Sequence, residues 1–119
     1  AKLNSISSTK EKIKSFFSFF YDDEDKELRE IYKQFISISL IENDDFMKEF
    51  QTKCFYLYRD WMEKLLDEGI AKNEISSELK KFINGVFAFA QGVFMMSVIT
   101  NAITDLEKEI NSQIDNLFD

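Results

Sequence analysis

Between Lys81 and Asp105 the chain carries no charged residue. The run Phe82–Thr100, FINGVFAFAQGVFMMSVIT, is 19 uncharged residues in a chain that is 31% charged overall. A helix of about 20 apolar residues can cross a bilayer. Here Asn84, Gln91, Ser97 and Thr100 interrupt the run, with Gly85 and Gly92, and no aromatic belt sharpens its ends. The expectation is a helix covered by protein, with no membrane association.

Turned by about 100° per residue, the run has two unlike faces. Ile83, Phe87, Phe94 and Val98 fall on a bulky face; Gly85, Ala88 and Gly92 fall opposite; Val86, Phe89, Ala90 and Val93 lie between them. A helix apolar all round needs neighbours all round. Four other helices of one small domain rarely supply them, and a second copy of the chain can. The expected homodimer interface takes Gly85, Ala88, Phe89, Gly92, Met96 and Ile99 from this helix. Leu106, Ile110, Ile114 and Leu117, the single stripe of the segment that follows, complete it. Two helices from each protomer would then form a four-helix bundle about a two-fold axis.

The rest of the chain reads as helix too. In 119 residues there are three glycines, no prolines and no alternating strand pattern. Ser8 and Glu11 have capping-box spacing ahead of Ile13, Phe16, Phe17 and Phe20. The acidic run Asp22–Asp25 opens a second helix with Leu28, Ile31, Tyr32, Phe35 and Ser39 on one face. Asn43 or Asp44 caps a long third helix with two adjacent stripes. Phe46, Phe50, Cys54, Leu57, Trp61 and Leu65 form one, and Met47, Phe55, Tyr58, Met62 and Leu66 the other. Gly69 and Asn73 accept a left-handed backbone and mark its end. Ser76 or Ser77 caps the fourth helix, and Thr104 with Glu107 the fifth. The predicted fold is all-α: one domain over residues 1–119, a bundle of about five helices whose last two form the dimer contact.

A net charge of −7 repels phosphate backbones, so this chain is not expected to grip nucleic acid itself. There is no histidine, which removes Ser–His and Cys–His relays and the usual di-iron ligands. Lone Cys54 sits on an apolar stripe and reads as a packing residue, consistent with a reducing compartment. Asp22–Asp25 lacks the spaced carboxylates of a calcium loop. No catalysis, metal or cofactor is expected.

Thirteen phenylalanines pack a very aromatic core or line something. Apolar walls with a few polar handles describe a ligand site. Phe16, Phe20, Phe35, Phe55, Tyr58, Phe87, Phe94 and Met95 are the candidate walls, and Ser39 and Gln91 the handles. Gln91 reads as a buried amide that needs a hydrogen-bond partner.

The order of elements resembles the ligand-binding half of TetR-family transcriptional regulators. The resemblance covers residues 8–118. It rests on the helix ending WMEKLLDEGIAKNEI, the capped helix LKKFINGVFAFAQGVFMM and a short final amphipathic helix. Gly69–Ile70 match the family's Gly-Ile turn, Asn73 stands where a second glycine is usual, and Gly92 matches a small residue midway along the next helix. The resemblance implies a dimer in the bacterial cytoplasm and a small lipophilic or aromatic effector held among the central helices. It also implies DNA release through N-terminal helix-turn-helix domains. That DNA-binding domain is missing from this chain, and residues 1–7 would correspond to the end of the connecting helix. The alternative expectation is a helical protein-interaction or structural module with no ligand and a filled aromatic core.

Overall fold

A computed structural model describes residues 8–42 and 44–118 of the chain. The candidate cap Asn43, the expected connecting-helix remnant 1–7 and the side chain of Ile83 lie outside the described residues.

The described residues form five α-helices and no strand: α1 (Thr9–Phe17), α2 (Lys26–Ile41), α3 (Asp45–Ala71), α4 (Ile83–Ile99) and α5 (Leu106–Phe118). Several boundaries have a local cause. Ser8 Oγ accepts from the Glu11 N–H at 3.4 Å and starts α1; Asp44 Oδ1 accepts from the Met47 N–H at 2.8 Å and starts α3. Between α1 and α2, Arg29 Nη1 donates to the Phe19 carbonyl at 2.8 Å and to the Asp22 carbonyl, fixing the reversal. Two expected starts differ. Asp105, not Thr104, caps α5, accepting from the Lys108 N–H at 3.1 Å. The chain enters α4 through a 3₁₀ turn, Ser77–Phe82, with Ser76 Oγ accepting from the Glu78 N–H at 3.2 Å.

The end of α3 separates the roles of Gly69 and Asn73. Asn73 alone takes the left-handed position, φ 59°. Its N–H donates to the Ile70 carbonyl at 3.0 Å and the Glu74 N–H to the Gly69 carbonyl at 2.8 Å, the paired closure of a Schellman motif. Gly69 is still helical. It is glycine because the helix end is crowded: a Cβ there would stand 3.0 Å from Thr9 Cγ2 and 3.1 Å from Ile75 Cγ1. Thr9 and Ile75 are themselves buried and cannot retreat. Gly69→Ala is therefore expected to lower stability by about 1–3 kcal/mol despite alanine's better helix propensity. Adding Thr9→Ser, which removes Cγ2, recovers part of that loss in urea unfolding; additive losses would contradict the contact.

The core lies among α1, α3, α4 and α5: Ile13 and Phe17, Met62 and Leu66, Ala90, Ile110 and Ile114, closed by Ile75. Of the two stripes on α3, the second reaches this core through Met62 and Leu66, with Leu65 of the first packed against it. Helix α2 and α3 before Met62 contribute no fully buried side chain. Tyr32 on Phe94 joins α2 to α4, while Phe35 on Phe50 and a 2.8 Å bond from Gln51 to Ser39 join α2 to the first half of α3. The result is open: the radius of gyration is 15.1 Å, against about 13.5 Å for a compact chain of this length.

Two ion-pair clusters tie α1 down. Glu68 Oε1 accepts from Lys12 at 2.7 Å and Lys72 at 2.9 Å; Asp115 Oδ1 pairs with Lys14 at 2.8 Å and Lys10 at 2.9 Å. Hydrogen bonds, first from Lys12 and from Lys14 respectively, hold both carboxyls below their ordinary pKa. A carboxyl depressed in the folded state stabilises it above the unfolded pKa, and that contribution is lost as pH falls through the folded value. Melting temperature should therefore drop below about pH 4. Glu68→Gln with Asp115→Asn should melt lower at pH 7 and lose less on acidification. An unchanged acid limb would show that these pairs do not matter.

Candidate functional site

Helix α4 has one covered side. Ala90 and Phe94 are buried, and Val86, Phe87, Val93 and Ser97 are half-buried beside them. The other side is open. Phe82, just before the helix, is 52% exposed, Met96 42% and Ile99 65%, and Gly85, Ala88 and Gly92 are exposed between them. A Cβ built on Gly85 or Gly92 meets nothing within 4 Å. Apart from the Lys81 ammonium, 5.5 Å over the Phe82 ring, no charge lies on this face, and Asn84 and Gln91 are amides on its flank. Ser97 and Thr100 turn their hydroxyls onto the carbonyls of Phe94 and Met96, both at 2.6 Å. A whole helix side is thus left apolar and wet, where surface helices usually present charge.

The expected interface is only half available. Gly85, Ala88, Gly92, Met96 and Ile99 are exposed and Phe89 half-exposed. Ile110 and Ile114, in contrast, are 1% exposed within the protomer, while Leu106 and Leu117 are partly covered. The apolar stripe of α5 packs on α1 and α4. This corrects the expectation of a four-helix bundle in which α5 meets a partner. α1 needs an apolar neighbour for Ile13 and Phe17, and α5 has a single stripe to give.

The ten candidate ligand residues do not enclose a cavity as a group. Phe16 stands edge-on to Tyr58 at 6.2 Å and Phe87 at 5.8 Å, with Phe55 5.9 Å from Phe87. Phe20 and Phe94 are 5.0 Å apart, and Phe35 rests on Phe50 at 5.3 Å. The rings largely fill one another's space. Ser39 is satisfied by the protein, donating to the Phe35 carbonyl and accepting from Gln51, both at 2.8 Å. Met95 is half-buried on the flank of α4. Gln91 is exposed, not buried as its setting in the sequence suggested. It falls between the inward column of Phe87 and Phe94 and the outward column of Ala88 and Gly92. Two open surface hollows of ≈ 490 and ≈ 500 Å³ lie elsewhere, the first beside Ser37, Ile38 and Val98, the second beside Asn73, Leu79 and Phe118. None of the ten lines either hollow.

What remains of the aromatic site is a wall with one open side. Tyr58 and Trp61 are 52% and 53% exposed, and each has an edge against Phe16. Burial raises the pKa of the Tyr32 phenol, and the nearby Tyr58 phenol adds to this, so two hydroxyls from α2 and α3 share one neighbourhood. Tyr32 was not among the candidate ligand residues. Sequence reasoning also missed the exposure of Phe46 and Leu57 on the first α3 stripe, 76% and 61%. The signal was present: two adjacent stripes on one helix make more apolar width than a small core covers.

Among the described residues no cluster of three His, Cys, Asp or Glu side chains could hold a metal ion. No helix there is long and apolar enough to cross a membrane.

No family model, no curated protein and no solved structure matches this chain. The functional reading therefore rests on its own surfaces.

Proposed function

We propose that this is a self-association domain whose working surface is the outer face of α4. One observation carries the reading: the helix is uncharged all round, yet its own fold covers only one side. Each large apolar side chain removed from water contributes about 1.5–3 kcal/mol. Met96 and Ile99 stand ready to do so, and no ionised group on α4 has to lose its water. The chain's three glycines make the test simple. In an amide NMR dilution series, the Gly85 and Gly92 signals should move with concentration, while Gly69, inside the protomer, stays fixed. Signals that are independent of concentration at all three positions would end the proposal.

A second reading keeps the regulator expectation: an effector-sensing dimer domain of the TetR type, coupled to DNA through another domain. Its support is the half-open wall of Phe55, Tyr58 and Trp61 with the Tyr32 hydroxyl nearby. A flat aromatic compound would complete the edge-to-face packing and accept a hydrogen bond from a phenol. Melting with a panel of such compounds tests it; a shift of several degrees with one compound is expected, lost in Tyr58→Ala. A panel without any shift removes the sensor role and leaves the association role standing.

A further inference from the structure

We propose that two copies pair antiparallel along α4, with the two-fold axis at Gly92. This rests on the association reading above and adds the orientation and register of the pair.

The spacing of the open face carries the inference. Gly92 lies seven residues from both Gly85 and Ile99, and four from both Ala88 and Met96. An antiparallel two-fold pair centred on Gly92 therefore sets Gly85 of each copy against Ile99 of the other, and Ala88 against Met96. In both pairs a large side chain meets a small one. The space it would enter is open, since nothing lies within 4 Å of a Cβ position at Gly85 or Gly92. At the axis glycine meets glycine, which lets the backbones approach closely. Phe89 and Met95, each three residues from the axis and each half-buried, flank the seam on opposite sides.

A parallel pair offers no such fit. It sets Gly85 on Gly85 and Ile99 on Ile99, so the helices gape at one end and collide at the other. An isologous contact also closes on itself, so it yields a pair and not a filament.

Single cysteines read the register directly. In a Cys54→Ser background, Gly92→Cys should oxidise to a covalent pair, because a disulfide requires Cα atoms about 4.4–6.8 Å apart. Gly85→Cys and Ile99→Cys should each stay uncrosslinked alone, since each lies about 20 Å from its own copy along the paired helices. Mixed in equal amounts, those two variants should yield the mixed covalent pair. Self-crosslinking of both single variants, with no gain on mixing, would establish parallel pairing and overturn the proposal. A protein that is dimeric by light scattering but crosslinks at none of the three positions would overturn the register and leave the association reading intact. A protein that is monomeric throughout overturns both.

Discussion

Gly92→Leu should stabilise the isolated protomer and abolish its pairing. The two effects have different physical origins and opposite signs. Glycine inside a helix costs about 0.5–1 kcal/mol relative to a good helix former, and the leucine side chain would enter space that is empty within the protomer. Dilute protein should therefore melt a few degrees higher than wild type. At the proposed axis, two leucines would occupy the position where the backbones must touch. The dissociation constant should rise at least 100-fold, to where pairing is no longer detected. Few surface substitutions separate folding from association so cleanly, and loss of pairing cannot here be blamed on misfolding. A variant that pairs with unchanged affinity would show that Gly92 does not face the partner.

Ile114→Ala should have the contrary signature. Ile114 is 1% exposed inside the protomer, packed in one cluster with Ile13, Phe17 and Ile110. Removing a buried isoleucine to its β-carbon costs about 2–5 kcal/mol, part from lost transfer energy and part from the cavity left behind. Since small domains are stable by about 5–15 kcal/mol in all, urea unfolding should shift to much lower concentration. The shift should be the same at every protein concentration. Had α5 met a partner, as its apolar stripe suggested, the same truncation would weaken pairing and spare the dilute protomer. Concentration-dependent loss with an unchanged protomer would restore α5 to the interface.

The sequence announced the helices well because their causes are local. Apolar spacing, the acceptors Ser8 and Asp44, and the left-handed Asn73 each act within a few residues, and all are where they were expected. The two shifted starts, Asp105 for Thr104 and the 3₁₀ turn ahead of α4, are shifts of a residue or a turn. What covers each stripe was not legible. Periodicity identifies an apolar face but not its neighbour. On α3 it marked two faces, and the core took Met62 and Leu66 while Phe46 and Leu57 stayed in water. On α5 it marked one stripe, which α1 claimed before any partner could. Gln91 failed for the same reason: an apolar sequence setting does not imply a covered position when one side of the helix is open.

The ligand site was the least legible part. A cluster of Phe and Tyr with polar handles has the composition of a pocket and also of a packed core. Only the ring-to-ring distances distinguish them, and here Phe16, Phe87, Phe20 and Phe94 lie in contact with other rings. The open wall at Tyr58 and Trp61 is what is left for a ligand.

Sedimentation equilibrium of the wild-type chain tests the central claim most directly. The weight-average mass should climb from 14.1 kDa toward twice that value and stop there, with half-saturation on the order of 1–100 μM for a contact built on one helix face. A mass fixed at 14.1 kDa up to roughly 1 mM would mean that water alone covers the outer face of α4.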